Sequence, residues 1–308
     1  MATDGSHHDR PMYDAFGSRS VETESFDKYN ALYSRSNERE MLTSALDKIA
    51  SEYNMDSVKS CLAIGPNVGF REIGFVEKCT ANATKFIAIE LGHKASELLK
   101  DQLRDRLPHV EGLVIEGDFR YCKGPSKPVD LVLMFHCLYP EYFKDPSERR
   151  SLMRKAHDRW LTAGGLMAVL VEGGWSSNTL GKATEIYYRL GYSVAPWEDM
   201  EADILDAGFI KKHVHEFQYM QDFTNPDEAF LRFFEDRVGY TASLDDIRSA
   251  MKELYRDKKH TRATTHFFCL RKHFSYGHAL VIAVTVVALL LLNFPQPLDF
   301  DKLDCLFS

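Results

Sequence analysis

The chain lacks several features that would narrow its function quickly. Its six cysteines are Cys61, Cys79, Cys122, Cys137, Cys269 and Cys305, and no two form a C-x-x-C pair. No Cys/His group has zinc-ligand spacing, which argues against a structural zinc site and leaves no metal site expected. Cys61, Cys137 and Cys269 sit inside apolar runs and read as small core residues, so reducing, cytosolic surroundings are expected. An excess of positive charge is also missing. With 38 Lys+Arg against 45 Asp+Glu the net charge is −7, which argues against broad nucleic-acid binding, and no nucleic-acid partner is expected. Residues Met1–Ser20 are polar, with His7, His8 and Pro11, and contain no apolar run. No secretory leader is expected there, and residues 1–21 read as a disordered tail. There is no internal repeat, no low-complexity linker before residue 271 and no carboxylate cluster spaced as Mg²⁺ ligands.

What remains is an ordinary globular composition, 44% hydrophobic, 27% charged and 12% aromatic over 308 residues. That length gives ample core for one large domain or two small ones. The mean hydropathy of −0.31 suggests a wholly soluble chain, but the apolar residues are unevenly spread. From Phe274 to Leu298 there are 25 residues without Asp, Glu, Lys or Arg. Within them, Ala279–Leu292 has a single polar residue, Thr285. As a helix, Tyr276–Phe294 would reach about 28 Å at 1.5 Å per residue, close to the roughly 30 Å of a bilayer core. A buried strand or core helix is the alternative, but the run is long for a strand and apolar all round. Arg271, Lys272 and His273 precede it, and Asp299, Asp301 and Asp304 follow. This flank charge predicts a transmembrane tail anchor over 271–308 with the main domain in the cytosol. The last residues, Cys305–Ser308, also match a C-a-a-X prenylation pattern, although a lumenal Cys305 would be out of reach of the cytosolic transferase.

Between the ends, short apolar strands alternate with helices. Strands are expected at Lys59–Gly65, Lys85–Glu90, Gly112–Glu116, Val129–Phe135 and Gly165–Glu172. Helices are expected at Val68–Cys79, Gly92–Arg106 and Ser147–Leu161. Such alternation argues for βαβ units and a parallel sheet. Farther on, the pattern predicts a helix at Asp199–Ala207 with Gly208 as its C-cap, and a strand at Phe209–Met220. Helices at Pro226–Val238 and Leu244–Tyr255 and a last strand at Thr261–Leu270 complete it. Glu22–Ala50 reads as helical with a break near Ser34–Asn37.

In open α/β sheets, ligands bind at the C-terminal ends of the strands, near the point where strand order reverses. Three features fall at such ends. The first is the turn Gly65, Pro66, Asn67, Val68, Gly69, where glycines let backbone approach a ligand. The second is Glu90, placed to bond ribose hydroxyls. The third is Asp118 followed by Phe119, an acid and an aromatic suited to holding and covering an adenine. The turn reads G-P-N-V-G-F and lacks the middle glycine of G-x-G-x-x-G, the one that admits a pyrophosphate. That favours a nucleoside cofactor without phosphates, S-adenosylmethionine.

With these residues in view, Glu22–Leu270 resembles the class I S-adenosylmethionine-dependent methyltransferases, and among them the histamine N-methyltransferase family. The matching pieces are Glu24-Ser25-Phe26, Ser36-Asn37-Glu38, the Ile64-Gly65 turn, Glu90, Leu138-Tyr139 and the run VEGGWS over Val171–Ser176. The helix-then-strand over Asp245–Leu270 fits as well. The resemblance implies a Rossmann-like sheet flanked by helices, with the apolar helix appended at the C-terminus. It implies that Gly65, Glu90 and Asp118 contact the cofactor, with Phe135 and His136 beside it at the end of the fourth strand. It places that family's substrate-binding carboxylate on Glu38. The glutamine that the family turns toward its imidazole substrate falls on His136, and its terminal-strand asparagine falls near Arg262-Ala263.

Methyl transfer to nitrogen is an in-line displacement that mainly needs a neutral nucleophile held close to the methyl. Glu38 is expected to fix the cationic end of an amine. His136 is the candidate proton acceptor. Tyr139 and Trp175 are expected to wall the substrate or face its cation. The leading reading is a monomeric, membrane-tethered N-methyltransferase acting on a small amine or imidazole-type molecule. An O- or peptide methyltransferase is the second enzyme reading, and a non-catalytic binding module with the same fold is the third.

Overall fold

The structure is a computed structural model, and it describes residues 27–28, 30–53, 55–138, 146–172, 186, 189–190, 197–237, 242–255 and 261–272. All of them lie in the unit Met1–Lys272. The apolar run after Lys272, Cys305, Tyr139 and Trp175 lie outside the described residues. Among the described residues, no helix is long and apolar enough to cross a membrane.

Seven strands form one sheet: β1 Ser60–Ile64, β2 Lys85–Glu90, β3 Glu111–Glu116, β4 Val129–Phe135, β5 Leu161–Glu172, β6 Phe209–Gln221 and β7 Thr261–Lys272. Their order is β3-β2-β1-β4-β5-β7-β6. The ladders β3-β2-β1-β4-β5 are parallel. β7 is inserted antiparallel to both β5 and β6. The helices are α1 Glu38–Glu52, α2 Phe70–Cys79, α3 His93–Arg106, α4 Pro146–Lys155, α5 Trp197–Asp206, α6 Glu228–Arg237 and α7 Leu244–Tyr255.

The central strands are buried on both faces, as parallel strands between helices must be, and alternate residues supply two cores. Cys61, Ala63, Phe86, Ala88, Leu131 and Leu133 pack with Leu42, Leu46 and Ile49 of α1, Ile73 and Val76 of α2, and Leu99 and Leu103 of α3. Leu62, Ile64, Ile87, Ile89, Val132 and Met134 pack with Leu152 and Met153 of α4, Trp160, and Ile204 and Ala207 of the α5 end. A third core joins Phe230, Phe233 and Phe234 of α6 to Ile247 and Met251 of α7, with Ala31 and Leu32 against it. Asp130 clasps the starts of two strands: its Oδ2 accepts from the Ser60 backbone N–H at 3.0 Å and the Ser60 hydroxyl at 2.9 Å.

Several boundaries differ from the sequence expectation. The helix expected to begin at Val68 starts at Phe70, because Gly69 at its N-cap is left-handed, φ 75°. The helix expected to run to Leu161 ends at Lys155 and continues as a π turn, Ala156–Trp160. β5 begins at Leu161 rather than Gly165: Leu161 pairs with Val129, and the register shifts before Leu131 pairs with Leu166. The expected Gly208 cap holds, with φ 94°. Ser243 and Asp246 form a reciprocal capping box ahead of α7, with Asp246 N–H to Ser243 Oγ at 3.1 Å and Ser243 N–H to Asp246 Oδ2 at 3.0 Å. On β6, His215 Nε2 lies 2.9 Å from the Tyr53 hydroxyl.

Candidate functional site

Strand order reverses between β1 and β4, so the crevice rule points to the C-terminal ends of β1, β2 and β4. The turn after β1 is built from left-handed residues: Gly65 at φ 58°, Asn67 at φ 54° and Gly69 at φ 75°. The Gly65 N–H donates to the Ile89 carbonyl at 2.9 Å, and the Gly69 N–H to the Pro66 carbonyl at 2.8 Å. A Cβ on Gly69 would stand 2.2 Å from Leu99 Cδ1, so this glycine lets α2 and α3 approach.

Glu90, at the tip of β2, fastens this turn to the next. Its Oε2 accepts from the Asn67 N–H at 2.7 Å and its Oε1 from the Gly92 N–H at 2.9 Å. The residue is 9% exposed. Each carboxylate oxygen has two lone pairs, so a ligand hydroxyl can still be accepted. Asn67 Oδ1 is buried and has no hydrogen-bond partner. An unsatisfied buried acceptor is costly, and here it sits in the turn expected to meet the cofactor. Asp118 is held by its neighbour: the Arg120 backbone N–H and Nε donate to Oδ1 at 2.9 and 2.8 Å, and Nε also reaches Oδ2 at 2.9 Å. Phe119 packs with Ile64, Ile87 and Ile89, and its Cε1 lies 3.4 Å from where a Gly65 Cβ would be. The Phe135 ring turns to the opposite sheet face and meets Phe75 edge-on at 5.8 Å. Its side chain is a packing element.

The second half of the site forms at the end of β4. His136 has φ 55°, a strained conformation for a residue with a Cβ. The His136 N–H donates to the Leu170 carbonyl at 2.8 Å. Its Nε2 lies 2.7 Å from Glu38 Oε1. Arg71 Nη2, on α2 just past the glycine turn, donates to Glu38 Oε2 at 2.5 Å. The Arg71 guanidinium lies over the Tyr33 ring at 4.1 Å, and its Nε is buried without a hydrogen-bond partner. Burial alone would push the Glu38 carboxyl up, but Arg71 and His136 outweigh it and hold it well below the usual carboxylate range. Burial lowers the Arg71 guanidinium and Glu38 more than reverses that, so it stays charged.

Glu38 reaches this place because the segment before it is pinned to the end of β6. The Asn37 N–H donates to the Met220 carbonyl at 3.2 Å, and the Met220 N–H donates to Asn37 Oδ1 at 2.7 Å. Gln221 Nε2 donates to the Leu32 and Arg35 carbonyls, each at 3.2 Å. Ser36 forms an isolated bridge with Gln221. The expected helix break at Ser34–Asn37 is thus the joint that turns α1 toward the sheet.

The structure therefore brings Gly65, Pro66, Asn67, Gly69 and Glu90 together, places Asp118 and Phe119 at the end of β3, and joins Glu38 to His136. Sequence reasoning missed Arg71, Arg120 and Glu72. Glu72, 2% exposed on the first turn of α2, is pushed up to about 8 by burial. A charged pair inside the apolar stretch following a glycine turn, Phe70-Arg71-Glu72-Ile73, was the available signal. Among the described residues, no group of three or more His, Cys, Asp or Glu side chains is placed to hold a metal ion.

No protein-family model matches the chain, and no curated protein matches its sequence. Solved structures do match its fold. A Bacillus halodurans protein assigned as a methyltransferase superposes with a TM-score of 0.53 at 13% identity, over 75% of this chain and 99% of that one. The YcgJ protein of Bacillus subtilis superposes with a TM-score of 0.54 at 11% identity, over 76% and 99%. At this identity the likeness is one of fold: the chain has the seven-stranded, Rossmann-like α/β fold of these proteins.

Proposed function

We propose that this chain is an S-adenosylmethionine-dependent methyltransferase that methylates nitrogen in a small amine or imidazole-type molecule. The observation that carries the reading is the Glu90 clasp. One buried carboxylate holds the turns after β1 and β2 through the Asn67 and Gly92 N–H groups, beside the strand-order switch. The fold shared with an assigned methyltransferase supports it, and so does the unsatisfied Asn67 Oδ1, an acceptor waiting for a donor such as an ammonium group. These residues fit the cofactor. Glu90 would take the ribose, Asp118 the adenine, and the Gly65–Gly69 turn the methionine end. When bound, the cofactor supplies an electrophilic methyl group on sulfur. The rest is done by the chain, which orients the acceptor and excludes water from the gap between nucleophile and methyl. His136 and Glu38 form the polar wall on the acceptor side. A hydroxyl acceptor is the second reading, favoured by the same His136–Glu38 contact, because a hydroxyl must lose a proton to react.

Calorimetric titration of the full chain with S-adenosylmethionine should show saturable binding, and Glu90→Ala should weaken it at least tenfold. No binding at millimolar cofactor would sink the enzyme readings, and an unchanged affinity in the variant would refute the cofactor placement. A screen of amines for methyl incorporation would identify the acceptor. We further propose that the segment beyond residue 272 anchors the protein, as a monomer, to a membrane. The 25 uncharged residues and their flanking charges support this. Carbonate extraction should leave the full chain in the membrane pellet and release a chain ending at residue 272.

A further inference from the structure

α2 carries an acid with no part in the Glu90 clasp or the Glu38–His136 contact. The buried residues of this helix are Glu72, Ile73, Phe75, Val76 and Cys79. Glu72, Phe75, Val76 and Cys79 follow one another at the three- and four-residue spacing of a single helix side. Phe75 on that side meets Phe135, the last residue of β4, edge-on at 5.8 Å. α2 follows β1 and runs back along the sheet, so one turn toward its N-terminus from Phe75 carries Glu72 past the end of β4. There the chain continues as His136 and Cys137. Burial, and next the charge of Glu72, raise the Cys137 thiol, which puts the two side chains near each other. Glu72 is 2% exposed, and the carboxylates of Glu38 and Glu90 are close enough to act on it. Resting on the methyltransferase reading, we infer that Glu72 is the counter-charge of the bound cofactor: it meets the cofactor's positive charge as a carboxylate and gives up its proton to the solvent when the cofactor enters.

The argument is one of charge. S-adenosylmethionine carries a sulfonium and an ammonium against one carboxylate, so it arrives with a net positive charge. The other acids at the crevice are already engaged. Glu38 is met on each oxygen, by His136 Nε2 at 2.7 Å and Arg71 Nη2 at 2.5 Å. Glu90 accepts from the Asn67 and Gly92 N–H groups, and Asp118 is paired with Arg120. Glu72 differs. Burial, with Glu90 and Glu38 adding to it, outweighs Arg71 and its own N–H and pushes the carboxyl up to about 8, so it is a neutral acid in the free protein at pH 7. A cation alongside reverses that balance by favouring the ionised form. Asn67 Oδ1, buried without a hydrogen-bond partner on the turn that leads into α2, independently marks this end of the helix as short of a donor. The titratable and charged groups around Glu72 are Arg71 from its own helix, Glu38 from α1 with His136 upon it, Glu90 from β2, and Cys137 beyond β4.

On binding, the O–H bond of Glu72 breaks, its electron pair stays on oxygen and the proton passes to water. The free protein is thereby spared an uncompensated buried carboxylate, which is costly, and the charge appears only with its partner.

Calorimetric titration of the full chain with S-adenosylmethionine, in buffers of different ionisation heat, counts the protons released. At pH 7 the wild type should release roughly half a proton or more per cofactor bound, because an opposite charge alongside draws a carboxyl down by about 1–3 pH units. Glu72→Gln keeps the shape of the protonated acid and should lose most of that release. The ratio of wild-type to variant affinity should rise roughly threefold or more from about pH 6 to about pH 7.5. No release by the wild type, equal release by the variant, or a flat affinity ratio would overturn the inference. Should Glu72→Gln fail to fold, difference infrared spectroscopy of the wild type with ¹³C-labelled glutamate reads the same step. The carbonyl band of a protonated glutamic acid should vanish on adding cofactor, and its persistence would overturn the inference equally. Absent binding would refute the methyltransferase reading itself, whereas binding without proton release refutes the role of Glu72 alone.

Discussion

The two glycines that bracket the turn after β1, where we propose that the cofactor binds, should separate stability from binding. Both are left-handed, so alanine at either costs about 1–2 kcal/mol in backbone strain. Their surroundings differ. A Cβ at position 65 meets Cys137 Cβ and Phe119 Cε1 at 3.4 Å, ordinary van der Waals contact. A Cβ at position 69 falls 2.2 Å from Leu99 Cδ1, and Leu99 is fully buried between α3 and the sheet. Overpacking of this kind adds about 1–3 kcal/mol. Gly69→Ala should therefore lose roughly 2–5 kcal/mol against 1–2 kcal/mol for Gly65→Ala. For a domain of this size each kcal/mol moves Tm by about 2–4 °C. Thermal and urea unfolding followed by circular dichroism, paired with calorimetric titration of S-adenosylmethionine, would read both effects. Gly65→Ala should lose most of its cofactor affinity while losing only about 1–2 kcal/mol of stability. Gly69→Ala, assayed well below its midpoint, should bind better than Gly65→Ala. Equal destabilisation of the two would refute the clash with Leu99, and the reverse order of affinities would refute the placement of the methionine end.

Other outcomes can be checked alongside. Glu72, pushed up to about 8, keeps its proton in the folded chain while an unfolded chain ionises near 4.5. Its contribution is thus fully present below about pH 4.5 and is lost as pH rises toward 8. Glu72→Gln should flatten the pH dependence of stability in that window and raise stability at pH 8, and urea midpoints unchanged across it would contradict the burial argument. Burial pushes the Cys61 thiol up to about 12 and raises that of Cys137 as well. Brief maleimide labelling of the native chain at pH 8, mapped by mass spectrometry, should modify Cys122 well before either. Rapid labelling of Cys137 would show that the crevice behind Gly65 opens.

The parallel half of the fold was readable because its strands are apolar runs of the right length, all but β4 ended by a glycine or an acid. KSCLAIG and KFIAIE announce β1 and β2 with little ambiguity. The start of β5 was not readable. Leu161 pairs with Val129 ahead of a register shift, and nothing in a continuous helical pattern marks a π turn. The site shows the same division. Glu90 and the glycine turn were singled out from position alone, since ligands in such sheets bind at strand ends, and the structure joins the two through the Asn67 N–H. The partners of Glu38 and Asp118 were not. Arg71 is 33 residues from Glu38 and meets it only because the pinned segment before α1 brings the helix across the sheet. Arg120 passed unnoticed, as an Asp followed two positions later by Arg carries no pattern.

β7 runs against the other strands, so its last residue, Lys272, pairs with Phe209 at the start of β6, and its ammonium group reaches the Leu161 carbonyl at 3.1 Å at the start of β5. The polypeptide leaves the sheet at the pole opposite the glycine turn. A pull on the chain at that point loads β7 in shear, with hydrogen-bonded ladders on both flanks sharing the force along their length. A load arriving at Lys272 would enter β7 beside its ladders to β5 and β6, at the opposite end of the strands from the left-handed residues Gly65, Asn67 and His136.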